Sequence, residues 1–273
     1  MLLRDALRGR RRENVVISVK FGVLRGPDNA FIGIDTRPVA IRNFLAYSLR
    51  RLGTDYVDIY RPARLDPTVP IEDTIGALAD LVQQGYIRHI GLSEVGADTL
   101  RRAQAVHPIS DLQIEYSLIS RGIEDLILPT ARELGIGITA YGVLSRGLLS
   151  GHWSDQNPQK AGQSRDFRAS LPRFTGENLQ RNLAVVEALR AIADSTGGTV
   201  AQVAIAWALS RGEDIVPVVG ARRRDRLDET LAAGDLRLSG EQLAAIEAAA
   251  PRDAIAGDRY DPRQMAMLDS ERA

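Results

Sequence analysis

Short apolar, β-branched runs alternate along the chain with longer segments of helical period. The runs are Val15–Val19, Tyr56–Tyr60, Ile87–Leu92, Leu112–Ser117, Ile136–Tyr141 and Ile215–Gly220. Each is short and apolar enough to be a strand buried on both faces. Between them, apolar residues recur every third or fourth position. Ile41, Phe44, Leu45, Leu49 and Leu52 form one stripe within Val39–Leu52. Ile71, Ile75, Leu78 and Val82 form another, opening after Pro70 and stopping at Gly85. The period continues through Leu100, Ala103 and Val106, and through Leu126, Ala131 and Leu134. Thr199 is placed to cap a helix over Val200–Leu209, with Val203, Ala204 and Trp207 inward, and Asp225–Ala233 ends at Gly234. Ser239-Gly-Glu-Gln242 has capping-box spacing and opens a helix that Pro251 halts. Leu144–Gly176, rich in glycine, proline and polar residues, reads as a long loop over one face, and the tail from Ala254 as irregular.

Strands alternating with crossover helices predict a parallel sheet. No Gly-x-Gly-x-x-Gly follows the first strand, which weakens a doubly wound dinucleotide fold. Strand spacings of roughly 25–40 residues favour a TIM (β/α)8-type barrel. The chain has 273 residues and no linker that divides it, so residues 1–273 are expected to form one domain.

Composition narrows the chemistry. Thirty-five basic and thirty-five acidic side chains cancel, leaving no overall field for nucleic acid or an acidic membrane. No cysteine occurs, which excludes disulfides, thiolate metal sites and a cysteine nucleophile and suits a cytoplasmic location. No apolar run approaches the ~20 residues of a membrane span, and Arg4, Asp5 and the basic Arg8–Arg12 do not form a signal peptide.

Active residues of such barrels come from the carboxyl ends of strands. Val15-Val-Ile-Ser-Val-Lys-Phe-Gly22 places a cation, Lys20, at the end of a buried run. The following strand ends offer Arg61–Arg64, then Ser93 and Glu94, then Gln113, Glu115 and Tyr116. Tyr141 precedes the Gly142–Gly147 loop, and Gly220 precedes four arginines within Arg222–Arg226. Taken singly, a serine, glutamine or tyrosine in a strand is more often a satisfied core polar residue than a ligand, and an arginine turn is as readily a solvated surface. Together they supply amides, hydroxyls, one aromatic platform and a cationic rim suited to phosphate.

In their order, these blocks resemble the aldo-keto reductases, NADPH-dependent (β/α)8 enzymes that reduce aldehydes and ketones. The resemblance runs from about Leu2 to the C-terminus. It is carried by Val15–Gly22, Asp55-Tyr-Val-Asp-Ile-Tyr60, Asp66–Glu72, Arg88-His-Ile-Gly-Leu-Ser-Glu94, Leu112-Gln-Ile-Glu-Tyr-Ser117, Thr139–Gly151 and Val216-Pro-Val-Val-Gly220. It implies that Lys20 is the lysine of the family's catalytic tetrad. Ser93 and Gln113, with Glu94 beside them, would bind the nicotinamide carboxamide, and Tyr141 would stack on its ring. Leu144, Ser145, Arg146 and Gly147 would clasp the pyrophosphate. Gly220, Arg222, Arg223, Arg226 and Glu229 would hold the adenosine end, the arginines favouring NADPH through its 2′-phosphate. The resemblance implies a small carbonyl substrate, with no metal and no nucleic acid.

The sequence also departs from the family pattern. The pattern begins with two further strands and an Asp-x-x-x-x-Tyr motif that carries the tetrad aspartate and tyrosine, and neither residue is matched here. Ala63 stands at the position of the tetrad histidine, and Thr230 where an adenine-contacting asparagine is common. The expectation is therefore an N-terminally truncated member, an incomplete barrel with strands 3–8 present and its N-terminal βαβ portion missing. Such a sheet would expose the edges of Val15–Val19 and Ile215–Val219 to self-association. Two functions follow: carbonyl reduction with NADPH, or a non-catalytic nicotinamide-nucleotide-binding or interaction protein of the same fold.

Overall fold

The computed structural model describes residues 2–152 and 167–272. Its strands are β1 Ser18–Phe21, β2 Val23–Arg25, β3 Phe31–Ile34, β4 Val57–Pro62, β5 Ile87–Ser93, β6 Ile109–Glu115, β7 Gly137–Tyr141 and β8 Ile215–Pro217. Its helices are α1 Leu2–Leu7, α2 Pro38–Leu52, α3 Ile71–Gln83, α4 Ala97–Val106, α5 Ile127–Glu133, α6 Gly176–Thr196, α7 Val200–Ser210, α8 Arg224–Ala232, α9 Gly240–Ala249 and α10 Pro262–Met265. Two compact units result: Met1–Gln113 with Leu126–Ile138 and Met267–Ala273, and Ile114–Asp125 with Thr139–Ala266. Part of the loop expected over Leu144–Gly176, residues 153–166, lies outside the described residues.

In the first unit β1, β4, β5 and β6 are parallel neighbours in that order, with Lys20 opposite Arg61, Ile59 opposite His89, and Ser93 opposite Gln113. The strand expected over Val15–Val19 begins three residues later. Val16 is exposed, and the Ile17 amide is taken by the carboxylate of Asp58 at 2.7 Å, which Arg12 also binds at 2.7 Å. That side-chain acceptor replaces a ladder partner, and Lys20 falls inside the strand rather than beyond it. Phe21 then turns inward and stacks on Tyr60, with ring centroids 4.4 Å apart. A two-stranded antiparallel hairpin, β2 with β3, follows. Its short, partly exposed strands carry no clear alternation.

Charge as well as apolar surface fills this unit's interior. The Arg61 side chain is 1% exposed, with Nη1 2.8 Å from Asp111 Oδ2 and Nη2 donating to Ser18 Oγ at 2.8 Å. Gly91 lies against this pair: a Cβ there would stand 2.5 Å from Asp111 Oδ1 and 3.0 Å from Ile59. The glycine is required by space, not by its dihedral angle. The far end of the chain returns to this unit, where Asp269 accepts from the Gly96 amide at 2.9 Å and the Thr99 hydroxyl at 2.7 Å. It thereby caps the first turn of α4, which has no local side-chain cap.

In the second unit, the Tyr116 amide donates to the Tyr141 carbonyl and the Val218 amide to the Ala140 carbonyl, at 3.2 and 2.8 Å. The expected capping boxes at Thr199 and Ser239 are both formed. α7 is buried on nearly all sides from Val200 to Ala208, rather than only along Val203, Ala204 and Trp207. α6 has no counterpart among the expected elements. Its buried positions include a polar one, Asn182, which donates to the carbonyls of Arg173 and Ala256 and accepts from the Ala256 amide. The tail from Ala254 contains the short helix α10, capped by Asp261.

Replacing Asp111 with leucine leaves Arg61 buried without its carboxylate and should cost about 3–5 kcal/mol. Gly91→Ala overpacks the same point and should cost about 1–3 kcal/mol. Denaturant midpoints should therefore rank wild type above Gly91→Ala above Asp111→Leu; an unshifted midpoint in either variant contradicts this account of the core.

Candidate active site

At the carboxyl ends of the first unit's strands, the expected residues gather as neighbours. Ser93 and Gln113 are register partners on β5 and β6. Ser93 Oγ and Gln113 Oε1 are both buried and have no hydrogen-bond partner. Leaving two such atoms unpaired side by side is costly in a folded core, so the site is suited to an external polar group. Glu94, fully buried, adopts φ +55°. It is held there by its amide on the Gln113 carbonyl at 3.1 Å and by Ser270, whose hydroxyl donates to Glu94 Oε2 at 2.7 Å. This backbone strain is sustained by hydrogen bonds on both sides.

Lys20 lies at the carboxyl end of β1, its side chain open to solvent. Its ammonium pKa is lowered from the ordinary value, first by desolvation, then by the charges of Arg64 and Arg61, while Glu94 opposes the change. Ala63 is buried, its amide donating to the Phe21 carbonyl at 2.8 Å, and presents only a methyl group.

In the second unit Tyr141, Leu144, Arg146, Gly147, Gly220, Arg226 and Glu229 line one cleft of about 650 Å³. Successive left-handed residues shape its loop: Ser145, Arg146 and Gly147 have φ of +43°, +55° and +99°. Only the last is a glycine, so strain of about 1–3 kcal/mol per non-glycine residue is held at this turn. Ser145 Oγ and Arg146 Nη1 are buried without hydrogen-bond partners. Glu229 receives Arg226 Nη1 at 2.9 Å. Burial pushes the Glu229 carboxyl up, but hydrogen bonds from Thr199 and Arg226 outweigh it and hold the group below the usual carboxylate range. Arg226 also contacts His152 Nε2. Arg222 and Arg223 do not line the cleft; Arg223 is exposed and paired with Asp225 at 2.7 Å.

Sequence reasoning missed the frame behind this cleft. The Glu115 side chain is fully buried, with Arg173, Arg259 and Arg146 at 3.4, 3.4 and 3.5 Å. The Ser120 hydroxyl donates to Glu115 Oε1 at 2.9 Å and accepts from Arg173 Nη1 at 2.7 Å. Burial, with repulsion from Arg146 and Arg259, lowers the Arg173 guanidinium from its usual value, and Glu115 opposes this. Tyr260 lines the cleft with its hydroxyl 2.9 Å from that of Tyr141. Glu115 was visible as a strand-end carboxylate; Arg173, Arg259 and Tyr260 carry no local signal.

Each unit's donor set has its own chemical complement. The first unit's unpaired hydroxyl and amide oxygen suit a carboxamide. The second unit's cleft, with an aromatic face, an unpaired buried guanidinium nitrogen and further cations, suits a stacked ring and phosphates. Among the described residues no group of three or more histidine, cysteine, aspartate or glutamate side chains could hold a metal, and no helix is long and apolar enough to cross a membrane. Removing the central carboxylate by Glu115→Gln should cost about 3–5 kcal/mol, since Arg146, Arg173 and Arg259 lose the buried carboxylate they share. Ser120→Ala should cost about 1 kcal/mol. Equal denaturation midpoints for the two variants would contradict this electrostatic ranking.

Residues 1–251 match the family model described as "Aldo/keto reductase family". A probable aldo-keto reductase 1 of Glycine max is 40% identical over 262 residues, covering 95% of this chain and 74% of that protein. The aldo-keto reductase str7 of Strobilurus tenacellus is 39% identical over 263 residues, covering 95% and 76%. Among solved structures, a glycerol dehydrogenase from Gluconobacter oxydans superposes with a TM-score of 0.81 at 26% identity, covering 92% of this chain and 77% of that one. The thermostable aldo-keto reductase Tm1743, solved with the inhibitor epalrestat, gives a TM-score of 0.71 at 27% identity, covering 91% and 76%. The chain belongs to the aldo/keto reductase family, oxidoreductases of barrel-type α/β fold that act on small carbonyl compounds.

Proposed function

We propose that this chain reduces an aldehyde or ketone to the alcohol with NADPH. The observation that carries this reading is the pair of buried, unpartnered atoms on adjacent strands, Ser93 Oγ and Gln113 Oε1. A hydroxyl donor beside an amide acceptor is the complement of a carboxamide, which has one carbonyl oxygen and N–H donors. Tyr141 provides the stacking face, and Arg146 with the turn at Leu144, Ser145 and Gly147 receives the pyrophosphate. Gly220, Arg226 and Glu229, which line the cleft, hold the adenosine end, and Arg222 and Arg223 take no part in it. Arg226 is the arginine best placed for a 2′-phosphate, because it lines the cleft.

NADPH, when bound, supplies the hydride. Charge develops on the carbonyl oxygen as its carbon is reduced, and Lys20 is the cation set at the carboxyl end of β1 to hold that charge. An ammonium of lowered pKa is also the stronger acid, which suits it to give the oxygen its proton. Glu94 moderates the shift and keeps Lys20 charged. A second reading, a nicotinamide-nucleotide-binding protein without turnover, is favoured by Ala63, whose methyl group cannot polarise a carbonyl.

Cofactor fluorescence and turnover of nitrobenzaldehyde or methylglyoxal separate the two readings. Binding with turnover supports reduction; binding without turnover supports the second reading; no binding at millimolar NADPH overturns both. Arg226→Gln should weaken NADPH about tenfold and leave NADH little changed, as expected for loss of one charge-assisted contact of about 1.4 kcal/mol. Activity should fall as pH rises through the Lys20 pKa, with a midpoint below its ordinary 10.5. Lys20→Met should lose about a hundredfold or more in kcat/KM, and Lys20→Arg should abolish the alkaline limb. An alkaline limb that persists in Lys20→Arg assigns the titration to another group.

A further inference from the structure

We propose that Tyr260, with Arg259, is a positioning residue that presets the two halves of the cofactor clasp before the cofactor arrives. The inference rests on the reading of Tyr141 as the stacking platform and Arg146 as the pyrophosphate ligand.

A closed circuit of contacts links these side chains. Tyr141 Oη lies 2.9 Å from Tyr260 Oη and 3.3 Å from Arg259 Nη1. The same Arg259 nitrogen lies 3.4 Å from Glu115 Oε2, and Arg146 Nη2 lies 3.5 Å from that oxygen. The Arg146 guanidinium closes the circuit by sitting 4.5 Å above the Tyr260 ring. One phenol therefore touches both functional side chains, through its hydroxyl on one and its face on the other. Hydrogen bonding fixes the tilt of the Tyr141 ring, and cation–π contact fixes the guanidinium plane.

The strap that delivers Tyr260 is itself pinned. Ala256 donates its amide to Asn182 Oδ1 at 2.8 Å, and the Gly257 carbonyl accepts from Arg173 Nε at 3.2 Å. Gly257 has φ +85°, and a Cβ there would stand 2.8 Å from the Pro172 carbonyl carbon. Such a segment is fitted to one path. Arginine and tyrosine side chains that are already ordered lose little freedom on binding, so preorganisation appears as affinity. Ring tilt at a stacking platform also governs the alignment of the reacting carbon, where small misplacements cost rate.

Tyr260→Phe removes the hydroxyl contact and keeps the aromatic seat; Tyr260→Leu removes both. The proposal is tested by a double-mutant cycle with Tyr141→Phe, read as the NADPH dissociation constant from fluorescence and as kcat. Each single hydroxyl deletion should weaken NADPH or lower kcat by about tenfold, and the double variant should be no worse than the poorer single, because the pair acts as a unit. Tyr260→Leu should weaken NADPH further than Tyr260→Phe. A purely structural Tyr260 would lower the melting temperature while its effect on NADPH multiplied independently with that of Tyr141→Phe. That result, or wild-type NADPH affinity and kcat in Tyr260→Phe, overturns the proposal while leaving the cofactor reading intact. Failure of the wild-type protein to bind NADPH overturns both.

Discussion

The Glu115 carboxylate is withdrawn from solvent and met by three guanidiniums, from Arg146, Arg173 and Arg259. One carboxylate is thus shared among three guanidiniums, and this buried cluster belongs to the same unit as the cleft. The arginines are spread around both carboxylate oxygens and also contact Ser120, Tyr141 and the Tyr260 ring. Even Gly142 answers to this carboxylate: a Cβ there would lie 3.0 Å from Glu115 Cγ, at φ +69°. Geometry at the start of the Tyr141–Gly147 loop is thus fixed from behind by the charge that the loop presents in front.

How much of the fold was legible depended on how local its causes are. Strands buried on both faces announced themselves, as did helices with a clean stripe or a capping box, because these signals reside in neighbouring residues. Where a distant side chain decided the outcome, sequence reasoning erred. β1 begins at Ser18 because Asp58, forty-one residues away, takes the Ile17 amide. α6 was hidden because its face toward the core includes Asn182, whose polarity is compensated by the Arg173 carbonyl and the remote Ala256 segment. A buried arginine at position 61 reads from sequence as a residue leaving the core; Asp111 retains it there.

The same division governs the site. Ser93, Gln113, Tyr141 and Arg146 sit on strand ends or in the glycine-rich turn that follows, so their grouping could be anticipated from order alone. The unpaired state of Ser93 Oγ and Gln113 Oε1 could not, because it depends on what surrounds them. Nor could sequence rank the arginines after β8. Arg226 lines the cleft while Arg223 turns to Asp225, a difference set by the first turn of α8. Arg259 and Tyr260 lie more than a hundred residues from Glu115 and Tyr141, and no pattern in the tail points to them.

The two halves of the chemistry are unequally furnished. Toward a dinucleotide the chain offers unpaired donors and acceptors, a strained turn and a pinned strap, features that cost stability and serve binding. Toward a carbonyl oxygen it offers Lys20, its pKa lowered by desolvation and by Arg64 and Arg61 against Glu94, and at position 63 only a methyl group. A single cation must then both hold the developing charge and set the proton's availability. On the proposed reading, turnover should be more sensitive to pH than cofactor binding, because the lysine of lowered pKa loses its charge as pH rises. An alkaline loss of turnover with retained NADPH affinity is therefore the signature that separates a reductase driven by Lys20 from a protein that only holds the nucleotide.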